Sequence, residues 1–134
     1  MAEKVFHVSG KRKRAIARAT IRNGKGQVRI NSKLLSLHHP RLARLRMMEP
    51  LQIAGDVASK VKIDVNVSGG GSQGQADASR LAIARALIGF TKDKNLEKTF
   101  LEYDRHLVVA DVRRGEPSKP NDSKPRAKRT KSYR

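Results

Sequence analysis

The chain has 134 residues, no cysteine, 4% aromatic residues and a formal net charge of +18. That length holds one domain with a modest core but hardly two, and the missing cysteine excludes a disulfide framework or a cysteine-based zinc site. The charge is segregated: residues 1–48 hold thirteen basic residues and one acid, residues 49–112 eight basic and nine acidic, and residues 113–134 nine basic and two acidic. A near-neutral middle between two cationic ends calls for a polyanionic partner, nucleic acid or an anionic membrane surface.

A membrane is the weaker candidate. No apolar run approaches the roughly 20 residues of a spanning helix, and the basic stretches lack the Trp or Phe of an interfacial anchor. The opening Met1 to Val8 carries an acid early and no apolar h-region, so a cytoplasmic setting is expected.

In chain order, Val5 to Val8 is a short apolar stretch leading to Ser9-Gly10 and the four cations Lys11, Arg12, Lys13 and Arg14. Ala15, Ala17, Ala19 and Ile21 then alternate with Arg14, Ile16, Arg18, Thr20 and Arg22. Period two predicts a strand with a small-residue face inward and a largely cationic face outward, Ile16 being the misfit. Asn23-Gly24-Lys25-Gly26 has turn chemistry and Gln27 to Asn31 alternates again, so residues 14–31 are predicted to form a β-hairpin. Arg14, Arg18, Arg22 and Arg29 should line its outer face.

Residues 33–58 suggest helix in pieces. Leu34, Leu35 and Leu37 come first, and His38-His39-Pro40 interrupts. The adjacent histidines make no metal site, because sequence neighbours are poorly placed to share an ion and no cysteine or carboxylate cluster completes the shell. Leu42 and Leu45 are spaced for one helix face, and Pro50 is predicted to start a further helix with Leu51, Ala54, Val57 and Ala58 buried.

Val61 to Val67 is apolar at every odd position and polar at every even one, a strand with one wet face. Gly69-Gly70-Gly71-Ser72-Gln73-Gly74 follows and fits a dinucleotide-binding G-x-G-x-x-G between strand and helix. A nucleotide-dependent enzyme using this loop is therefore the alternative reading. Two features oppose it: the alternating strand is covered on one face only, whereas the central strands of a doubly wound sheet are buried on both, and the helix leads to Thr91-Lys92-Asp93-Lys94-Asn95 instead of a second strand with a ribose-binding acid. A phosphate-loop ATPase would need Lys-Ser or Lys-Thr where Gln75-Ala76 stands. The glycines still present bare N–H groups beside a helix N-terminus, which suits any phosphate, including one in an RNA backbone.

For the helix after the loop, Ser72 and Gln75 have capping-box spacing, Gly89 fits the left-handed terminal position, and the Ala- and Leu-rich body permits close approach to a sheet. A second helix is expected from Asn95, with Leu96, Phe100 and Tyr103 on one face, then a short strand at Leu107 to Ala110. No catalytic constellation appears, since Ser and His never stand in a nucleophile motif. A free transcription regulator is disfavoured because the cations lie on strands, turns and a tail, as suits backbone contact, and not on a recognition helix.

Residues 113–134 have only Ala127 and Tyr133 as apolar bodies and hold Pro117, Pro120 and Pro125. Such a segment has nothing to bury against its ordering entropy and suits neither helix nor sheet. It is predicted to be an extended arm able to reach roughly 70 Å at about 3.3 Å per residue, against a body radius of gyration of about 13 Å.

Three stretches together resemble one family: Ser9 to Arg18; Val65 to Gly71 with Gly74-Gln75-Ala76 and Ala82 to Leu87; and Lys128-Arg129-Thr130-Lys131-Ser132-Tyr133-Arg134. The chain is similar to the ribosomal protein S9 family of the small subunit over nearly its whole length; its Lys-Ser-Tyr-Arg ending resembles the archaeal and eukaryotic branch, and the long Pro-containing link and small size favour the archaeal type. The resemblance implies a structural, non-enzymatic constituent of the cytoplasmic ribosome without cofactor or metal. Its expected partners are small-subunit ribosomal RNA, neighbouring proteins of the subunit head and tRNA in the peptidyl (P) site, with no membrane.

The implied fold is α/β (α+β), a mixed four- to five-stranded sheet with helices on one face as a two-layer sandwich, in a globular domain over 1–112 with a basic tail over 113–134. The ribosomal-RNA set is Lys11, Arg12, Lys13, Arg14, Arg18, Arg22, Arg29, Gly69, Gly70, Gly71, Gln73, Arg113, Arg114, Lys124 and Arg126. The tRNA-directed set is Lys128, Arg129, Lys131, Tyr133 and Arg134, with Lys131 and Arg134 facing the anticodon stem-loop backbone and Lys128 and Arg129 anchored along the route.

Overall fold

The computed structural model describes residues 4–134; Met1-Ala2-Glu3, with which the opening stretch considered above begins, lie outside them. Strands β1 (Val5–Arg12), β2 (Ala15–Asn23), β3 (Val28–Ile30), β4 (Lys33–Leu34) and β5 (Val61–Ser68) form one mixed sheet in the order β1-β2-β5-β3-β4. The helices are α1 (Arg41–Ala54), α2 (Asp56–Ser59), α3 (Ser72–Thr91) and α4 (Lys94–Tyr103), with single 3-10 turns at Leu35–Leu37 and Arg105–Leu107. The α/β class and the mixed five-stranded sheet agree with the expectation from sequence.

Alternation decides which face is buried. Ala15, Ala17, Ala19 and Ile21 of β2 and Val61, Ile63, Val65 and Val67 of β5 all point to the core. On that face α3 crosses β1, β2 and β5, and α1 lies along α3. The small side chains matter because the helix backbone approaches the strand directly. A Cβ built on Gly10 would lie 2.5 Å from the carbonyl oxygen of Ala78 and 2.8 Å from the nitrogen of Ala82. Enclosed between the sheet and the other helices, α3 buries even Arg80, whose guanidinium pairs with Glu49 at 2.6 Å and Asp104 at 2.9 Å and so ties α1, α3 and the end of α4 together.

The hairpin predicted over residues 14–31 does not form. β2 pairs with β1, through the two-residue turn Lys13-Arg14, and with β5, while β3 runs parallel to β5 on its far side. The Asn23 to Gln27 connection therefore passes over the start of β5, where Gly24 and Gly26 donate their N–H groups to the carbonyls of Lys60 and Val61. The turn chemistry is real, but it spans two strand spacings, about 10 Å, with β5 slotted between.

Pro50 lies inside α1, fully buried, and does not begin a helix; Ala43 and Met47 join it on the buried face, while Leu42 and Leu45 face outward. α3 is capped by Gly71 with no side-chain cap, and Gln75 donates its side-chain amide to the Gly69 carbonyl. It runs past Gly89 to end at Lys92, φ +57°. Gly89 is instead a clearance position, since a Cβ there would collide with the Phe6 ring. Asp93, two residues before Asn95, caps α4 by accepting the Asn95 N–H. Tyr103 is exposed while Leu96 and Phe100 are buried. Leu107 to Ala110 is no strand: Leu107 closes a 3-10 turn as a buried plug, and the Val108 carbonyl accepts from Arg85 Nε at 2.9 Å. Among the described residues no helix is long and apolar enough to cross a membrane.

Candidate nucleic-acid interface

Pieces far apart in sequence meet at one end of the molecule. The β1–β2 turn, the Gly69–Gly71 loop, the N-terminus of α3 and the start of the C-terminal segment enclose a cleft of about 940 Å³, lined by Arg12, Lys13, Arg14, Gly70 to Gly74 and Arg114 to Ser118. The glycine loop has a steric reason to be there. Gly69 and Gly70 have φ of +77° and +65°, and a Cβ on Gly69 would lie 2.5 Å from the Arg14 carbonyl oxygen. Only glycine combines that conformation with that approach. The loop is thereby pressed against the cationic turn, and the N–H end of α3 opens beside Lys13 and Arg14, an arrangement suited to phosphate.

The second cationic surface is the sheet face that no helix covers. Register places His7, Ser9 and Lys11 of β1, Ile16, Arg18, Thr20 and Arg22 of β2, Lys62, Asp64, Asn66 and Ser68 of β5, and Arg29 of β3 on it. Arg22 is offset by Asp64 at 3.1 Å, whereas Arg18 and Arg29 have no ionic partner among the described residues. Arg18 is exposed and Arg29 half-buried. Of the four arginines expected on one face, three share it; Arg14 lies in the turn at its edge.

Beyond Leu107 the chain has no helix or strand among the described residues. Arg114 donates to the Lys13 carbonyl at 2.6 Å, and Arg12 reaches the Arg113 carbonyl at 3.5 Å. Asp111 accepts from Arg113 and faces Arg12 at 3.3 Å; the Arg113 hydrogen bonds, with Arg12 beyond, hold its carboxyl far below the ordinary carboxylate range. Further on, Arg126 makes a bidentate pair with Glu116, Nε to Oε1 2.9 Å, across turns at Lys119–Asp122 and Lys124–Ala127. The segment thus doubles back between 116 and 126 before Lys128, Arg129, Lys131, Tyr133 and Arg134, all exposed, run to the end.

A protein-family model described as ribosomal protein S9/S16 matches residues 10–134. The chain belongs to this family. Among its relatives, the small ribosomal subunit protein uS9 of Methanococcus maripaludis strain S2 is 49% identical over 133 residues, covering 98% of this chain and 99% of the relative. Proteins of the same name from M. maripaludis strain C7 and from Methanococcus vannielii match to the same extent. These archaeal relatives agree with the archaeal type suggested by the Pro-containing link and the small size. Family membership makes the chain a structural component and not an enzyme, and the reading of the glycine loop as a nucleotide site has no support.

Against the residues singled out from sequence, this S9/S16 chain gathers Arg12, Lys13, Arg14, Gly70, Gly71, Gln73 and Arg114 around one cleft, with Gly69 at its back and Arg113 at its side. Lys11, Arg18, Arg22 and Arg29 lie on the open sheet face, and Lys124 and Arg126 stay out on the tail. Sequence reasoning missed Lys62 on that face and Asp111 at the tail's root. Lys62 was readable, being an even position of the alternating strand; Asp111 was not, because its partners are set by the packing of residue 111 beside β1.

Proposed function

We propose that the chain is a structural constituent of the small ribosomal subunit in the cytoplasm, docking on ribosomal RNA through its open β-face and glycine-loop cleft and reaching toward P-site tRNA with its tail. Neighbouring proteins of the subunit are its other partners. The observation that carries this reading is the uncovered sheet face: a mostly polar face of Arg, Lys, Ser, Thr and Asn, with no Phe, Tyr or Trp and with His7 as its one ring, adjoins a cleft of arginines and bare backbone N–H groups and suits a folded RNA's phosphates better than its bases.

The test is a salt series. RNA affinity should fall steeply with rising salt, and replacing Arg18, Arg22 and Arg29 with Gln should reduce the slope of log affinity against log salt by about two units, at roughly 0.7–0.9 for each phosphate no longer neutralised. An unchanged slope would mean this face meets solvent or protein.

The functional division falls at residues 112 and 113, with a globular RNA-binding domain before it and the tail after. A chain ending at Val112 should melt cooperatively within a few degrees of the full chain, because it loses only surface polar contacts, worth about 0–1 kcal/mol each. A thermal melt followed by circular dichroism measures this; loss of the transition would show that the tail belongs to the body's core.

A further inference from the structure

Asp111 is out of place if the tail is only a cationic tether, since an acid at its root repels the phosphates that the tail approaches. Its side chain is only 11% exposed. It accepts from the Arg113 backbone N–H at 3.1 Å, from Arg113 Nε at 3.1 Å and from Arg113 Nη2 at 2.7 Å, and stands 3.3 Å from Arg12 Nη2 on β1. Arg12 is held from its other side by Asp77 of α3 at 3.9 Å, and Asp77 lies 2.6 Å from Arg46 of α1. Charges thus alternate from α1 through α3 and β1 to the root of the tail. Next to this chain of charges Arg114 fastens to the Lys13 carbonyl, and one residue later Gly115 stands in open space, with nothing within 4 Å of where its Cβ would be.

We infer that Asp111 is a positioning residue that clamps residues 111–114 onto the β1–β2 turn, so that the tail leaves the body at Gly115 from a fixed place and in a fixed direction. Upstream the chain is already secured by the buried Leu107 and by Arg85 on the Val108 carbonyl, so Asp111 supplies the last body-facing side-chain acceptor before the tail. A tether whose first residues are ordered keeps its tip in a smaller volume than one free from residue 109, which raises the tip's effective concentration at a fixed target and lowers the ordering cost of binding. The inference serves the reading of the tail as tRNA-directed, but its test uses the free protein, so either can fail without the other.

Because the chain has no cysteine, spin labels can be placed at Lys98→Cys on α4 and Ser118→Cys past the clamp, both exposed positions. The full chain should give one narrow distance population. Asp111→Asn should widen it by about twofold or more, since a free ten-residue segment explores distances on the order of 15–20 Å, while the melting transition stays in place. Arg113→Gln, at a side chain 78% exposed and so harmless to folding, should widen it likewise, and Asp111→Glu should restore much of the narrow population. A distribution already broad in the unaltered chain, or one equally narrow in Asp111→Asn and Arg113→Gln, would overturn the clamp. A shift of melting temperature in Asp111→Asn without widening would overturn it too, leaving the carboxylate an ordinary stabilising group.

Discussion

Replacing Gly10 with alanine is expected to lower the melting temperature by about 10 °C or more, although the change adds a single methyl group. Gly10 sits on β1 opposite Ala17, on the face against which α3 packs. The new Cβ would stand 2.5 Å from the Ala78 carbonyl oxygen and 2.8 Å from the Ala82 nitrogen. Both are helix backbone atoms, so no rotamer change relieves the clash, and α3 must lift from the sheet along with the residues it buries between Ala78 and Leu87. Overpacking a well-filled core costs about 1–3 kcal/mol when side chains can yield; with rigid backbone the upper end is expected, and each kcal/mol shifts the midpoint by about 4 °C at this length. Gly115→Ala, with no atom within 4 Å, is the matched control and should melt with the natural chain. Thermal denaturation of the two variants side by side decides it, and equal midpoints would mean that β1 and α3 are not in backbone contact.

Gly10 also shows where sequence reading stops. Periodicity made β5 and the alanine face of β2 legible, because a strand buried on one side must alternate, and β5 does so at every position from Val61 to Val67. Strand order was not legible. The Asn23 to Gly26 turn serves a tight hairpin and a crossing over an intervening strand equally well, and the choice depends on β5, some thirty residues further on, offering two edges at once. Pro50 was misplaced for a similar reason. Its missing N–H suits a helix start, yet the ring is also an apolar body of the right size for the α1 interior, and burial there outweighs one lost backbone bond. Gly89 carried terminal chemistry in sequence, but what requires glycine is the Phe6 ring from the opposite end of the chain.

The candidate interface was legible by composition and illegible by place. Runs such as Lys11 to Arg14 announce a polyanion wherever they fall, but only the fold brings that turn, the glycine loop and the root of the tail to one cleft. It also separates Arg12 from its three neighbours in the run. Facing the helix side of β1, Arg12 is committed to Asp77 and Asp111, while Lys11, Lys13 and Arg14 remain exposed. In the tail the same sorting leaves Arg126 engaged with Glu116 and leaves Lys128, Arg129, Lys131 and Arg134 without an ionic partner among the described residues.

Deleting residues 131–134 is therefore expected to leave small subunits assembled and to weaken P-site tRNA binding by about 1–3 kcal/mol, the scale of one or two charge-assisted hydrogen bonds. The cations that would hold the chain on ribosomal RNA, from Lys11 to Arg29 and at Lys62, lie on the body, remote in sequence from the last four residues. Those four do not pack on the body; Lys131, Tyr133 and Arg134 are exposed, and Tyr133 keeps 86% of its surface. Arg134 brings a planar guanidinium able to take a phosphate with two N–H donors, a geometry Lys131 cannot match. Loss of affinity should accordingly be larger for Arg134→Ala than for Lys131→Ala, and both losses should shrink as salt rises, as is expected of cations that act on phosphate. The measurement is P-site tRNA retention on purified subunits carrying the shortened chain, taken across a salt series. Full retention at every salt concentration would remove the tail's tip from tRNA binding; failure of the shortened chain to enter subunits would make it an assembly anchor.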